Sequence, residues 1–163
     1  MAELTVLESK LAEVLGLAEA ASGAGERVSN LVDDEEIRSQ LERMRREAEE
    51  TAERCTEVAE ELDGKKTAVL EKARETKQEA TEMMRTYLGD DADGLDGLEF
   101  LTMAEAGEVG HWEILGVLGE KAGNPEIEAL VQWATPIQYR HFETVREGSL
   151  QLAREENPNE TES

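Results

Sequence analysis

Apolar residues recur along the chain at intervals of three and four, the spacing of one face of an α-helix. The clearest case is Ile37, Leu41, Met44, Ala48, Thr51, Cys55, Val58 and Leu62, spaced 4-3-4-3-4-3-4. A repeat of this kind is a bundle seam. It predicts a helix that begins near the acids Asp33 and Asp34 and stops at Leu62-Asp63-Gly64. An earlier stripe of Leu4, Leu7, Leu11, Leu15, Ala18 and Ala21 predicts a first helix from about Ala2 to Ala21. The stretch Ser22 to Asn30, rich in Gly and Ser, predicts a break after it. A weaker stripe of Val69, Ala73, Thr76, Ala80, Met83 and Tyr87 marks a third helix over Lys65 to Leu88, ended by Gly89 and the acidic run Asp90 to Gly97. The fourth spans about Leu98 to Lys121 and is the most apolar. The sequence Gly123-Asn124-Pro125 stops it and starts a fifth, with Asn124 as N-cap and Pro125 in the first helical position, running to about Arg154. Pro136 falls inside that helix, frees the Gln132 carbonyl and is expected to bend it. No sustained apolar–polar alternation of strand type occurs. The pattern is all-α: one helical domain over residues 1–154, with a polar tail over 155–163 expected to be disordered.

Charge and cysteine content narrow the function. The 163 residues carry 17 Lys+Arg against 39 Asp+Glu, a formal net charge of −22. Such a field repels nucleic acid and anionic lipid, which excludes binding by phosphate neutralisation or headgroup docking. Cys55 is the one cysteine, so neither an internal disulfide nor a multi-cysteine zinc site can form. No apolar run approaches the roughly 18 residues of a membrane span, and the first residues lack the layout of a signal peptide. A cytoplasmic protein that touches no membrane is expected. The Glu-rich, Lys-poor composition fits a saline cytoplasm, and equally a helical protein with solvated faces. All six aromatics, Tyr87, Phe100, Trp112, Trp133, Tyr139 and Phe142, lie late in the chain, which predicts the main packing cluster between the fourth and fifth helices.

The chain has two histidines, His111 and His141. His141 falls on the stripe Ile127, Leu130, Ala134, Ile137 or Gln138, Val145 and Leu152. His111 falls with Leu101, Ala104 or Glu105, Glu108, Leu115 and Leu118. Both histidines, with Glu105 and Glu108, therefore sit on faces that otherwise point inward. A carboxylate there needs a cation or a hydrogen-bond partner. Glu108 and His111 form a Glu-x-x-His pair, neighbours on a helix that can share a metal. With the fourth and fifth helices antiparallel about residue 123, Glu105 lies 18 residues before the turn and His141 18 after it. The candidates form a ladder on the order of 9 Å tall at 1.5 Å per residue, so a compact site draws on Glu105, Glu108 and His141 rather than on both histidines. The competing reading makes the histidines hydrogen-bonded core residues and the glutamates a solvated face, and leaves open whether Glu108 or Glu113 points inward. No serine stands in a Gly-x-Ser-x-Gly context. Gly107, Gly110, Gly116 and Gly119 lie within a helix and suit close packing rather than a phosphate loop. Cys55, on the seam, reads as core, and Arg45, Arg46 and Arg54 as part of a face laced with Glu.

Two helices, a helical crossover of about thirty residues and two more helices resemble the ferritin-like four-helix fold. Within that superfamily the chain resembles the YciE/YciF-like bacterial stress proteins. The matching stretches are Leu7-Glu8-Ser9-Lys10-Leu11, Glu49-Glu50-Thr51, Lys65-Lys66 and Gly110-His111-Trp112-Glu113-Ile114, the last set against a Glu-His-Tyr-Glu-Ile pattern in the family. The resemblance runs from about residue 3 to 153 and implies metal-site positions at Glu8, Glu50, His111 and Glu113. The chain departs from the family in having only Glu47 and Glu49 where a histidine precedes the second-helix Glu-Thr. It has Gly110 for the first Glu of Glu-His-Tyr-Glu, and Ile137-Gln138 for Glu-Glu in the last helix.

Two functions follow as expectations. The first is a ferritin-like stress-type protein that binds iron, as one ion or a di-iron pair, or another divalent metal such as manganese or zinc. Its ligands come from Glu8, Glu50, Glu108 or Glu113, His111 and His141, and two irons would bring oxygen or peroxide chemistry. The second is a metal-free bundle that serves as a structural or protein-interaction module. The apolar breadth of the fourth helix also predicts a homodimer.

Overall fold

The computed structural model describes residues 2–162. Five helices form: α1 (Val6–Ser29), α2 (Glu35–Glu60), α3 (Lys66–Tyr87), α4 (Gly94–Ala122) and α5 (Pro125–Glu155). No strand occurs among the described residues, and no helix is long and apolar enough to cross a membrane.

Side chains close the starts of α1, α2, α4 and α5. Thr5 and Glu8 form a reciprocal capping box at α1, and Asp93 and Asp96 form another at α4. Asp34 accepts from the Ile37 N–H at 2.9 Å, and Asn124 from the Ile127 N–H at 3.0 Å. Gly123 ends α4 in the left-handed region, φ 61°. α5 continues unbroken through Pro136.

Three boundaries differ from the sequence reading. α1 begins at Val6 rather than near Ala2, because the Thr5 side chain caps it there. α1 runs on through Ser22, Gly23 and Gly25 to Ser29, because Ala24 and Val28 bury against neighbouring helices and outweigh weak local propensity. α4 starts four residues before Leu98, since Asp93 and Asp96 cap a helix where the acidic run suggested a loop. Of the polar tail, residues 156–162 carry no helix, and Ser163 lies outside the described residues.

The helices pack α1 on α2, α3 and α4, and α5 on α4 and α2; α3 lies against α1 and touches α2 lightly. Contacts at the two ends give the directions. At one end Lys65, just before α3, ion-pairs with Glu8 near the start of α1 at 3.0 Å. At the other, Arg27 donates to the Leu88 carbonyl at 3.2 Å, so α3 runs parallel to α1. Gln151, late in α5, donates to Asp34, before α2, at 3.0 Å. Gly97, early in α4, lies against Val28, late in α1. Gly16 marks the α1–α3 crossing, where an added Cβ would come within 2.8 Å of the Thr76 Cβ and still closer to the Ala73 carbonyl.

The core is split lengthwise. One apolar cluster gathers Leu11, Leu15, Cys55, Trp112, Leu115, Ile127 and their neighbours. The other gathers Val28, Ile37, Leu41, Leu98, Leu101, Val145 and theirs. α4 and α5 pack on each other more extensively than any other pair of helices, as expected, but the aromatics do not all gather between them. Trp112 is buried in one half and Phe100 in the other, paired with Tyr87 at 5.7 Å, while Tyr139 is exposed. Of the four α4 glycines expected at close contacts, Gly116 and Gly119 meet Val131 and Ile127, while Gly107 and Gly110 face open space.

Candidate functional site

Between the two apolar clusters each helix changes character. α4 passes from Leu98 and Leu101 through Glu105 and Glu108 to Trp112 and Leu115. α5 passes from Ala134 through Gln138 and His141 to Val145, and α2 from Met44 through Ala48 and Thr51 to Cys55. Because these positions share the three-and-four register of the apolar ones, their polar side chains point inward, between the two apolar clusters. Glu105, Glu108, Gln138, His141 and Thr51 are all buried.

These groups form pairs. The Gln138 side-chain amide donates to the Glu105 carboxylate and, at 3.4 Å, to the Glu105 carbonyl. His141 Nε2 lies 3.2 Å from Glu47 Oε1. Glu47 also receives Arg140, with Arg43 at 3.7 Å. Glu108 has neither a hydrogen bond nor an ion pair among the described residues; burial and the Glu105 charge alone act on it.

Burial sets the titration of this layer. Desolvation pushes the Glu105 carboxyl up to about 7, against the opposing hydrogen bond from Gln138. Glu108 is raised well above the usual carboxylate range, by burial first and by Glu105 second. Burial lowers His141, outweighing the Glu47 hydrogen bond and charge. The Cys55 thiol is pushed far up by burial, then by Glu19 and Glu108, which keeps it an inert core group.

The residues proposed from sequence are distributed unequally. Glu108 and His141 lie in the buried layer. Glu8 is buried near the start of α1. Burial raises its pKa, but the Thr5 backbone N–H and the Lys65 ammonium outweigh this and leave it lowered. Glu50 is exposed and pairs with Arg54 at 3.5 Å, whose guanidinium lies 4.1 Å over the Trp133 ring. His111 is 38% exposed at its side chain, with Nδ1 3.6 Å from Glu13 Oε2 and no hydrogen bond on that nitrogen. Glu113 is exposed beside Tyr139, whose phenol it raises by hydrogen bond. The structure thus buries Glu108 and His141 and gives Glu8, Glu50, His111 and Glu113 other partners. Glu47 is the residue the sequence reading did not assign to the layer. Its signal was weak: a Glu flanking the α2 seam next to Ala48.

Among the described residues, no three His, Cys, Asp or Glu side chains converge where they could hold a metal ion. A di-iron carboxylate centre needs Glu-x-x-His on two helices and further carboxylates beside them. α5 offers Gln138-x-x-His141 and α2 has no histidine, so the donors do not fit a pair of irons. Glu105 and Glu108 lie one helical turn apart, and among the described residues neither is ion-paired with a Lys or Arg. Comparison with protein-family models, with curated proteins and with solved structures gives no match.

Proposed function

We propose that the chain is a ferritin-like four-helix bundle of α1, α2, α4 and α5, with α3 as the crossover, that binds one divalent metal ion, iron or a similar cation. The site is the Glu105–Glu108 pair, with His141 and Glu47 within the same layer. A role in a bacterial stress response, in the cytoplasm, belongs to the same reading. One observation carries it: two buried carboxyls on adjacent turns of α4 face the interior, and among the described residues no basic side chain is ion-paired with either. Holding both ionised there is costly, and a cation removes the cost. The pairing of the helices and their directions support the architecture.

Metal content tests this. Protein purified without a histidine tag from metal-supplemented medium is expected to hold one ion per chain by elemental analysis. The double variant Glu105→Gln, Glu108→Gln is expected to lose it, and His111→Ala to retain it. Sub-stoichiometric metal, or metal unchanged in the double variant, would overturn the proposal.

The alternative is a metal-free structural or interaction module. It is favoured by the protein partners that Glu105 and His141 already have in Gln138 and Glu47. We further propose that the chain forms a homodimer through the outer face of α4, where Met103, Ile114 and Val117 are exposed beside the open Gly107 and Gly110.

A further inference from the structure

α3 and α4 both rest on α1 but make little contact with each other. The gap holds a cavity of about 140 Å³. Its walls are apolar, with Leu17 and Ala24 from α1, Met84 from α3, and Phe100 and Leu101 from α4. Glu105 and Glu108 also line it. Glu105 is engaged by Gln138, whereas Glu108, 6% exposed, has no partner among the described residues. Lys77, the one basic residue among the described residues that line this cavity, is ion-paired with Glu19 at 3.7 Å.

We propose that this cavity binds a small organic amine, with its hydrocarbon body against Leu17, Met84, Phe100 and Leu101 and its ammonium group donating to the Glu108 carboxylate. The volume is close to that of an engineered cavity, roughly 150 Å³, known to hold a benzene ring. A single six-membered ring, or a chain of comparable bulk, therefore fits. Charge selects the head group. An acid would meet Glu105 and Glu108, and a neutral hydrocarbon would leave Glu108 without a partner. An ammonium satisfies it with a charge-assisted hydrogen bond, and the net charge of −22 draws cations to the surface. The inference goes beyond the metal reading; amine and metal ion both claim Glu108 and exclude each other.

The test is calorimetric titration of chelator-treated protein at high salt with benzylamine, and with benzyl alcohol as its neutral counterpart. Benzylamine is expected to saturate one site and to bind more tightly than the alcohol. Glu108→Gln is expected to weaken benzylamine roughly tenfold to a hundredfold, the range of a hydrogen bond to a charged group, and to leave benzyl alcohol unchanged. Ala80→Leu, which fills the cavity from α3, is expected to abolish binding of both while thermal melting confirms a folded chain. Equal binding of amine and alcohol, insensitivity to Glu108→Gln, or survival of binding in Ala80→Leu would each overturn the proposal. Displacement of bound benzylamine by a divalent metal would show both readings together; amine binding in a chain that takes up no metal would sustain this one alone.

Discussion

A buried carboxyl that keeps its proton stabilises the fold only below its folded pKa, and Glu105 is the residue on which this can be read. Its ordinary value of 4.5 is raised to about 7, so the stability it contributes is full below about 4.5 and is lost as pH rises through about 7. His141 acts in the opposite sense. With its pKa lowered from 6.5, its contribution is present above that value and is lost as pH falls through the lower, folded one. Urea denaturation of metal-free protein should therefore show the difference between wild type and Glu105→Gln changing across pH 4.5 to 7, by on the order of 3 kcal/mol, with the variant gaining relative to wild type at the alkaline side. A difference that stays flat over this range would mean that Glu105 does not titrate there. At this scale the sequence revealed half of the layer. Inward positions for Glu105, Glu108 and His141 follow from helical spacing. The choice between Glu108 and Glu113 could not be made, because α4 is apolar around much of its circumference and its buried face is fixed only by the helices beside it. His111 looked equivalent to His141 by register, yet it sits toward the α1–α3 side and keeps contact with solvent.

Helices show where local signals and packing agree and where packing wins. The α2 seam is inward from Ile37 to Cys55 as its spacing requires, and Asn124-Pro125 opens α5 as capping chemistry dictates. The end of α1 went unread because Gly and Ser mark turns only in the absence of long-range contacts, and Ala24 and Val28 supply those contacts from residues far along the chain. Glycines within α1 give a paired experiment. Gly16→Ala should lower stability by about 1–3 kcal/mol, since the methyl group meets the Ala73 carbonyl and Thr76 on α3. Gly23→Ala, with nothing within 4 Å of the new Cβ, should raise it by about 0.5–1 kcal/mol through helix propensity. Both are read from urea midpoints at unchanged slope. A stabilising Gly16→Ala would show that α3 does not press on α1 at that point.

For the molecule as a whole, the arrangement of helices was legible in outline. The hairpins α1–α2 and α4–α5 follow from short connections, and the third helix from a weaker stripe, of which α3 buries Val69 and Ala73 together with Ala68. The division of the interior into two apolar halves was not legible, because it depends on which residues of five helices reach a common level. Association is decided at this scale too. Equilibrium sedimentation at micromolar concentration should give a dimer, and Ile114→Lys with Val117→Lys should give a monomer with an unchanged helical spectrum. A wild-type monomer would remove α4 as an interface. The net charge of −22 works against association of copies, so the dimer should tighten as salt rises.

The divided interior has a further consequence for how the protein tolerates change. Leu98 and Leu115 lie on the order of 25 Å apart along α4 at 1.5 Å per residue, with the acids between them. A void opened at either end shares no wall with a void at the other, so their penalties sum instead of compounding. Each half can drift in sequence on its own, while the acidic floor that separates them stays put.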